Sequence, residues 1–160
     1  MGRYRVLNIG EMVESCQVTA EVAAQHGRTI IMGPRVGETV CSVDSLLRLP
    51  SDVDMHNFKA NFDTARLSAQ RENVALALMK LEGQYANIHV TDNDPVNAEH
   101  LPIGEGTIDW DEFFRVLQLH NYDGYLGLDL GGRPSIVEDL QRSLEAIRTT
   151  ALRHSITVES

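Results

Sequence analysis

Apolar residues along the chain fall into short β-rich runs that alternate with longer segments of helical periodicity. The clearest helical segment is 68–84, where Val74, Leu78 and Leu81 are spaced to share one face. The predicted strands are 4–9, 28–33, 58–63, 85–92 and 125–132. The predicted helices are 18–27, 42–50, 68–84, 109–124 and 134–155. Because neighbouring parallel strands need a crossover connection, this alternation predicts an α/β fold with about five parallel strands and covering helices.

Residues with special backbone preferences indicate where the helices begin and end. Ser42 is the expected N-cap of the second helix, and Pro50 is its expected end because proline disrupts a helix interior. Gly27 and Gly124 are the expected ends of the first and fourth helices. We find no low-complexity linker and no internal repeat, so residues 1–160 are expected to form a single domain.

Composition and charge argue against several classes of partner. The chain has 160 residues, of which 42% are hydrophobic and 23% charged, as is typical of globular proteins. Its net charge of -9 disfavours nucleic acid and an anionic membrane surface, since both attract basic proteins. No apolar run approaches the roughly 20 residues that span a bilayer. Residues 1–16 lack the pattern of a secretory signal, and Cys16 and Cys41 lack metal-type spacing, so we expect a reduced, cytoplasmic protein.

Isolated polar residues lie near the carboxyl ends of the last three predicted strands. They are Asp63, His89 and Asp129. Ligands bind at that edge of a parallel α/β sheet, and two carboxylates with an imidazole could hold a divalent ion. Each residue also has a structural alternative. His89 could be a hydrogen-bonded core histidine, Asp63 could cap the next helix, and Asp129 could pair with a cation such as Arg133.

Five motifs occur along the chain in a characteristic order. They are HGRTIIMGPRVGE (26–38), NFDTAR (61–66), IHVTDND (88–94), HLPIGEG (100–106) and NYDGYLGLD (121–129). Together they resemble the sugar phosphate isomerase/epimerase family, the xylose-isomerase-like TIM barrels that include AP endonuclease family 2. The resemblance covers about residues 18–150 and implies strands from the later part of the barrel.

A whole (β/α)₈ barrel needs about 250 residues, so the resemblance implies a partial, TIM-barrel-like domain over 1–160. Open sheet edges are normally covered, and we therefore expect a homo-oligomer such as a dimer, or a partner chain, to complete the barrel. The alternative is that 1–160 are a piece of a longer enzyme.

The resemblance also implies a metal centre. In the family, a Glu, an Asp, a His and a second Glu hold one divalent ion, commonly Mn²⁺, Mg²⁺, Co²⁺ or Zn²⁺. Carried over to this sequence, the Asp is Asp63, the His is His89, and the second Glu is replaced by the shorter Asp129. The first Glu falls at Gly33 or, after a shift by one residue, at Met32, and neither residue is a good ligand for a hard cation.

The implied activity is isomerisation or epimerisation of a small sugar or sugar phosphate. Asp129 would then be the catalytic acid/base, and a metal held by Asp63, His89 and Asp129 would stabilise the enediolate. The expected substrate-binding residues are Arg66, His100 and Arg35. The alternative hypothesis is a non-catalytic, degenerate barrel module that binds a small polyol or a partner chain.

Overall fold

A computed structural model describes residues 8–94, 100–132 and 134–159, in which strands and helices alternate along the chain. The elements are α1 (Ile9–Gln25), β1 (Ile30–Met32), α2 (Val43–Val53), β2 (Phe58–Asp63), α3 (Thr64–Ala69), α4 (Val74–Lys80), β3 (Tyr85–Val90), α5 (Trp110–Leu119), β4 (Leu126–Leu128) and α6 (Ile136–Arg153). The predicted α/β class is therefore confirmed. Among the described helices, none is long and apolar enough to cross a membrane.

The four described strands form one parallel sheet in the order β1-β2-β3-β4. Each strand pairs with its neighbours in the sequence, which is how consecutive βα units are arranged in a barrel. The predicted partial TIM-barrel-like architecture is thus confirmed. Residues 4–7 of the strand predicted over 4–9 lie outside the described residues. The last two residues of that predicted strand belong to a helix instead, because Asn8 caps α1 and Ile9 begins it.

Four predicted helices have clearly different bounds in the structure. α1 begins at Ile9, well before the predicted residue 18, and α5 ends at Leu119, before the predicted end at Gly124. α2 begins after Ser42, as expected, but continues through Pro50 and ends at Val53. The segment 68–84 forms no single helix, because α3 ends at Ala69 and α4 begins only at Val74.

The hydrophobic core lies between the sheet and the helices. Side chains that alternate along β2 and β3 supply much of it, namely Phe58, Ala60, Phe62, Ile88 and Val90, none more than 2% exposed. Because side chains alternate between the two faces of a sheet, the residues between them face the other side. These residues are Asn61, Asp63, Asn87 and His89. The face opposite the helices is therefore polar near the carboxyl ends of the strands.

One irregularity in the pairing of β2 with β3 decides which residues become neighbours. Tyr85 is paired with one residue of β2 and Asn87 with the next, so Ala86 is an extra residue in β3. Beyond this β-bulge the register is regular and places Asp63 opposite His89.

Candidate metal centre

Asp63, His89 and Asp129 come together at the carboxyl end of the sheet. Each offers one ligand atom, and these atoms lie within 4.8 Å of one another. His89 Nδ1 lies 3.9 Å from Asp63 Oδ2 and 3.9 Å from Asp129 Oδ2. Atoms bound to one cation at about 2.1 Å are roughly 3–4 Å apart, so the three need to move only slightly closer to share an ion. Two carboxylates and an imidazole therefore form a donor set that fits a divalent cation.

Asp63 is buried, and its two carboxylate oxygens have different partners. Oδ1 accepts a hydrogen bond of 2.9 Å from the backbone N–H of Arg66 and so caps α3. Oδ2 lies 2.9 Å from Arg66 Nε and is also the oxygen that faces His89. Burial raises the pKa of the Asp63 carboxyl, against the opposing effects of the Arg66 backbone hydrogen bond and of His100, Arg66 and His89. The capping role and the position in the cluster therefore coexist.

His89 is half-exposed, with 36% of its side chain accessible, which distinguishes it from a buried core histidine. Its Nδ1 lies 3.3 Å from the amide nitrogen of Asn61. The amide oxygen of Asn61 in turn accepts a hydrogen bond of 2.7 Å from Asn87 Nδ2. Asn61 begins the NFDTAR motif, but the resemblance assigns a role to neither asparagine. The signal that could have found them is strand alternation, because each lies two residues before a predicted ligand.

His100 lies beside Asp129, at the mouth of the site. His100 Nδ1 is 3.0 Å from the backbone oxygen of Asp129 and 3.6 Å from its Oδ2. Because a carbonyl oxygen can only accept, this nitrogen carries the proton. Thr91 Oγ1 lies 3.2 Å from the same nitrogen. The predicted alternative partner of Asp129, Arg133, lies outside the described residues.

The two predicted substrate-binding arginines lie in different places. Arg66 is at the site, but its guanidinium is paired with Asp63. Arg35 lines a separate cleft of about 340 Å³ together with Gly33 and Glu38. The described residues lining that cleft include none of the three clustered side chains.

The position that the resemblance assigns to a first glutamate has no side chain to offer. A Cβ atom placed on Gly33 would lie 3.2 Å from Asn61 Nδ2, so the Asn61 amide already fills the adjacent space. Met32, the alternative position, packs partly buried against the hydrophobic core.

Asp92 is a buried carboxylate that organises the loop carrying His100. It accepts hydrogen bonds from the backbone N–H of Gly104 at 2.8 Å and of Ile108 at 3.1 Å. It also accepts one from the indole N–H of Trp110 at 2.9 Å. The sequence shows an acidic residue after the strand here, but spacing alone does not indicate that it holds the loop.

The family model for xylose isomerase-like TIM barrels matches residues 4–150 of this chain. The chain belongs to that family. The resemblance inferred from the sequence motifs is therefore confirmed.

Curated relatives of this family member include two clostridial enzymes. An inosose dehydratase of Clostridium botulinum (strain Alaska E43 / Type E3) is 26% identical over 142 residues, which cover 78% of this chain and 48% of that protein. An inosose dehydratase of Clostridium perfringens (strain 13 / Type A) is 24% identical over 165 residues, covering 91% and 55% respectively. The chain thus spans about half the length of the curated relatives it matches.

Solved structures of sugar epimerases share the fold. A D-psicose 3-epimerase with D-tagatose from Clostridium cellulolyticum H10 has a TM-score of 0.78 at 15% identity, covering 94% of this chain and 60% of that one. A D-tagatose 3-epimerase-like protein has a TM-score of 0.73 at 24% identity, covering 88% and 55%. At these identities the similarity establishes the partial barrel fold of this family member.

Proposed function

We propose that this protein catalyses metal-assisted proton transfer next to a carbonyl group of a small sugar or sugar phosphate, as an isomerase or epimerase. The observation that carries the proposal is the convergence of Asp63, His89 and Asp129, with ligand atoms within 4.8 Å, at the carboxyl ends of consecutive parallel strands. The names of the relatives support a small polyhydroxy substrate, since they are sugar epimerases and inosose dehydratases.

A bound Mn²⁺, Mg²⁺, Co²⁺ or Zn²⁺ ion would act as a Lewis acid towards the substrate carbonyl. Asp129 is the carboxylate best placed to take the proton, because 42% of its side chain is exposed whereas Asp63 is only 2% exposed. His100 donates to the Asp129 backbone carbonyl and thereby holds in place the residue that directly follows β4. Arg66 balances the negative charge of Asp63.

The second candidate function is a non-catalytic module that binds a polyol or a partner chain. Two observations favour it. Gly33 supplies no second base, and Arg66 Nε lies 2.9 Å from the Asp63 oxygen that a cation would use. A cation must therefore compete with the guanidinium for Asp63, which lowers its affinity.

Assays with added Mn²⁺ on a panel of ketoses and ketose phosphates distinguish the two functions. We expect turnover, and we expect Asp129→Asn to lower kcat at least about a hundredfold because the proton acceptor is lost. Asp123→Asn is the matched control, since Asp123 is an exposed carboxylate outside the cluster, and it should leave kcat unchanged. Mn²⁺ and polyol binding without turnover would favour the second candidate. The enzyme proposal is wrong if calorimetry detects no metal binding and Asp129→Asn changes nothing.

A further inference from the structure

The amide of Asn61 occupies the space that a side chain at Gly33 would need. A Cβ atom on Gly33 would meet Asn61 Nδ2 at 3.2 Å, its Cβ at 3.6 Å and its Cγ at 3.8 Å. Asn61 is 7% exposed, so its side chain is held in this position by its surroundings. Glycine at position 33 and asparagine at position 61 are thus sterically complementary.

The same amide reaches the atom at the centre of the cluster. Asn61 Nδ2 lies 3.3 Å from His89 Nδ1, the nitrogen that is 3.9 Å from both Asp63 Oδ2 and Asp129 Oδ2. Separations of about 3–4 Å are those between two ligands of one cation. The terminal atom of Asn61 therefore stands at ligand distance from His89.

The orientation of the amide decides whether it competes with a cation or helps to bind it. A neutral imidazole nitrogen has one lone pair, and an N–H of Asn61 directed at His89 Nδ1 occupies it. A cation at that nitrogen needs the same lone pair. If the amide turns over, its nitrogen and oxygen exchange places with little change in shape, and Oδ1 is directed towards the cluster. Asn87, which donates to Asn61 Oδ1 at 2.7 Å, can turn over in the same way and accept from Asn61 instead.

We propose that Asn61 Oδ1 is the fourth protein ligand of the metal centre and replaces the carboxylate that Gly33 cannot supply. The inference rests on the proposed metal-dependent function. An amide oxygen is a hard neutral donor of the kind that divalent cations accept beside carboxylates. The resulting set is two carboxylates, one imidazole and one amide oxygen, with the Asn61–Asn87 pair changing orientation when the ion binds.

Calorimetric titration with Mn²⁺ tests this assignment directly. Asn61→Leu keeps the volume but removes the oxygen, and we expect it to weaken Mn²⁺ binding about tenfold or more. Asn61→Asp presents an oxygen in either orientation and adds a negative charge, so we expect it to bind Mn²⁺ more tightly than the wild type. Melting curves in a chelator verify that each variant folds.

Asn57→Ala is the matched control. Asn57 is an equally buried amide at the other end of β2, where it donates to the carbonyl oxygens of Ala20 and Arg28. The change should lower the melting temperature but leave Mn²⁺ affinity unchanged. If the wild type binds Mn²⁺ and Asn61→Leu binds it equally well, the ligand assignment is overturned while the proposed function stands. If Asn61→Leu does not fold, failure of Asn61→Asp to tighten binding overturns it. A wild type that binds no Mn²⁺ overturns both.

Discussion

The carboxylate of Asp92 holds the loop after β3 much as that of Asp63 holds the start of α3. Three backbone N–H groups and the Trp110 indole donate to it, and it is only 1% exposed. A buried donor that loses its acceptor destabilises the folded state by its full desolvation free energy. Asp92 therefore stabilises the loop position from which His100 reaches Asp129.

Replacing Asp92 by Ala should lower the free energy of unfolding by about 3 kcal/mol or more, because several buried donors lose their acceptor. Urea denaturation followed by tryptophan fluorescence measures this change. Asp123→Ala, which removes an exposed carboxylate, should change the free energy of unfolding by less than about 0.5 kcal/mol. Equal effects of the two variants would contradict the structural role of Asp92.

At the residue scale, the sequence predicts the members of the cluster better than their partners. Asp63, His89 and Asp129 could be grouped because the carboxyl ends of parallel strands meet at one edge of a sheet. The hydrogen bonds of Asn61 could not be predicted, since an amide within a strand has no spacing rule of its own. The sequence indicates Arg66 as a substrate-binding residue, and only the side-chain positions show that its guanidinium is paired with Asp63.

At the scale of the elements, the loop 100–108 depends on a close approach of two backbone segments. A Cβ atom on Gly106 would lie 2.6 Å from the backbone nitrogen of Asn93 and 2.5 Å from its oxygen, and closer still to Asp92 Oδ1. Backbone atoms cannot give way as the end of a flexible side chain can. Only glycine therefore fits at this position without displacing the loop.

We expect Gly106→Ala to lower the free energy of unfolding by about 1–3 kcal/mol, since the added methyl group forces the two segments apart. Gly131→Ala is the matched control, because a Cβ atom there meets nothing within 4 Å and its backbone conformation needs no glycine. It should be neutral or slightly stabilising. Thermal melting of both variants measures the difference, and a stable Gly106→Ala protein would contradict the close approach.

The elements themselves were predicted where pattern and end signals agree. β2 has the bounds that its apolar run indicates, and α2 begins after its predicted N-cap, Ser42. The predicted end of α2 at Pro50 was wrong because Pro50 lies inside the helix. The helix ends only at Val53, and the backbone of the next residue, Asp54, is left-handed. The single helix over 68–84 was wrong because Arg71 also adopts a left-handed conformation, which apolar spacing does not encode.

At the scale of the whole molecule, β4 is the last strand of the described sheet, and its outer side has no described neighbour. Beside it, α5, α6 and residues 156–159 line a cleft of about 710 Å³. In a closed barrel a further strand would pair here. We propose that a second copy of the chain, or another chain, covers this edge, as sheet edges are normally covered.

Light scattering of the purified protein should therefore give a mass of at least twice the 17.8 kDa of one chain, or should do so once a partner is added. Substituting Leu128, whose strand forms the edge, by Pro should reduce the assembled fraction, because proline removes a backbone donor. A monomer that nevertheless shows full activity would contradict the need for completion.

The family and the architecture could be predicted from the motif order, but assembly could not, because the chain spans only about half the length of its relatives.

The extra residue in β3 has a consequence for sequence change by insertion and deletion. Tyr85 and Ile88 are an odd number of residues apart, yet both pack against the core, which regular alternation would forbid. Removing Ala86 would leave Tyr85 and Ile88 two residues apart, so regular alternation alone would keep both against the core and keep His89 opposite Asp63. The bulge can thus absorb the loss of one codon, whereas loss of Phe62 from the regular stretch of β2 would turn Asp63 to the opposite face from His89. Natural variants of this chain should therefore differ in length at the bulge and not between Asn61 and Asp63.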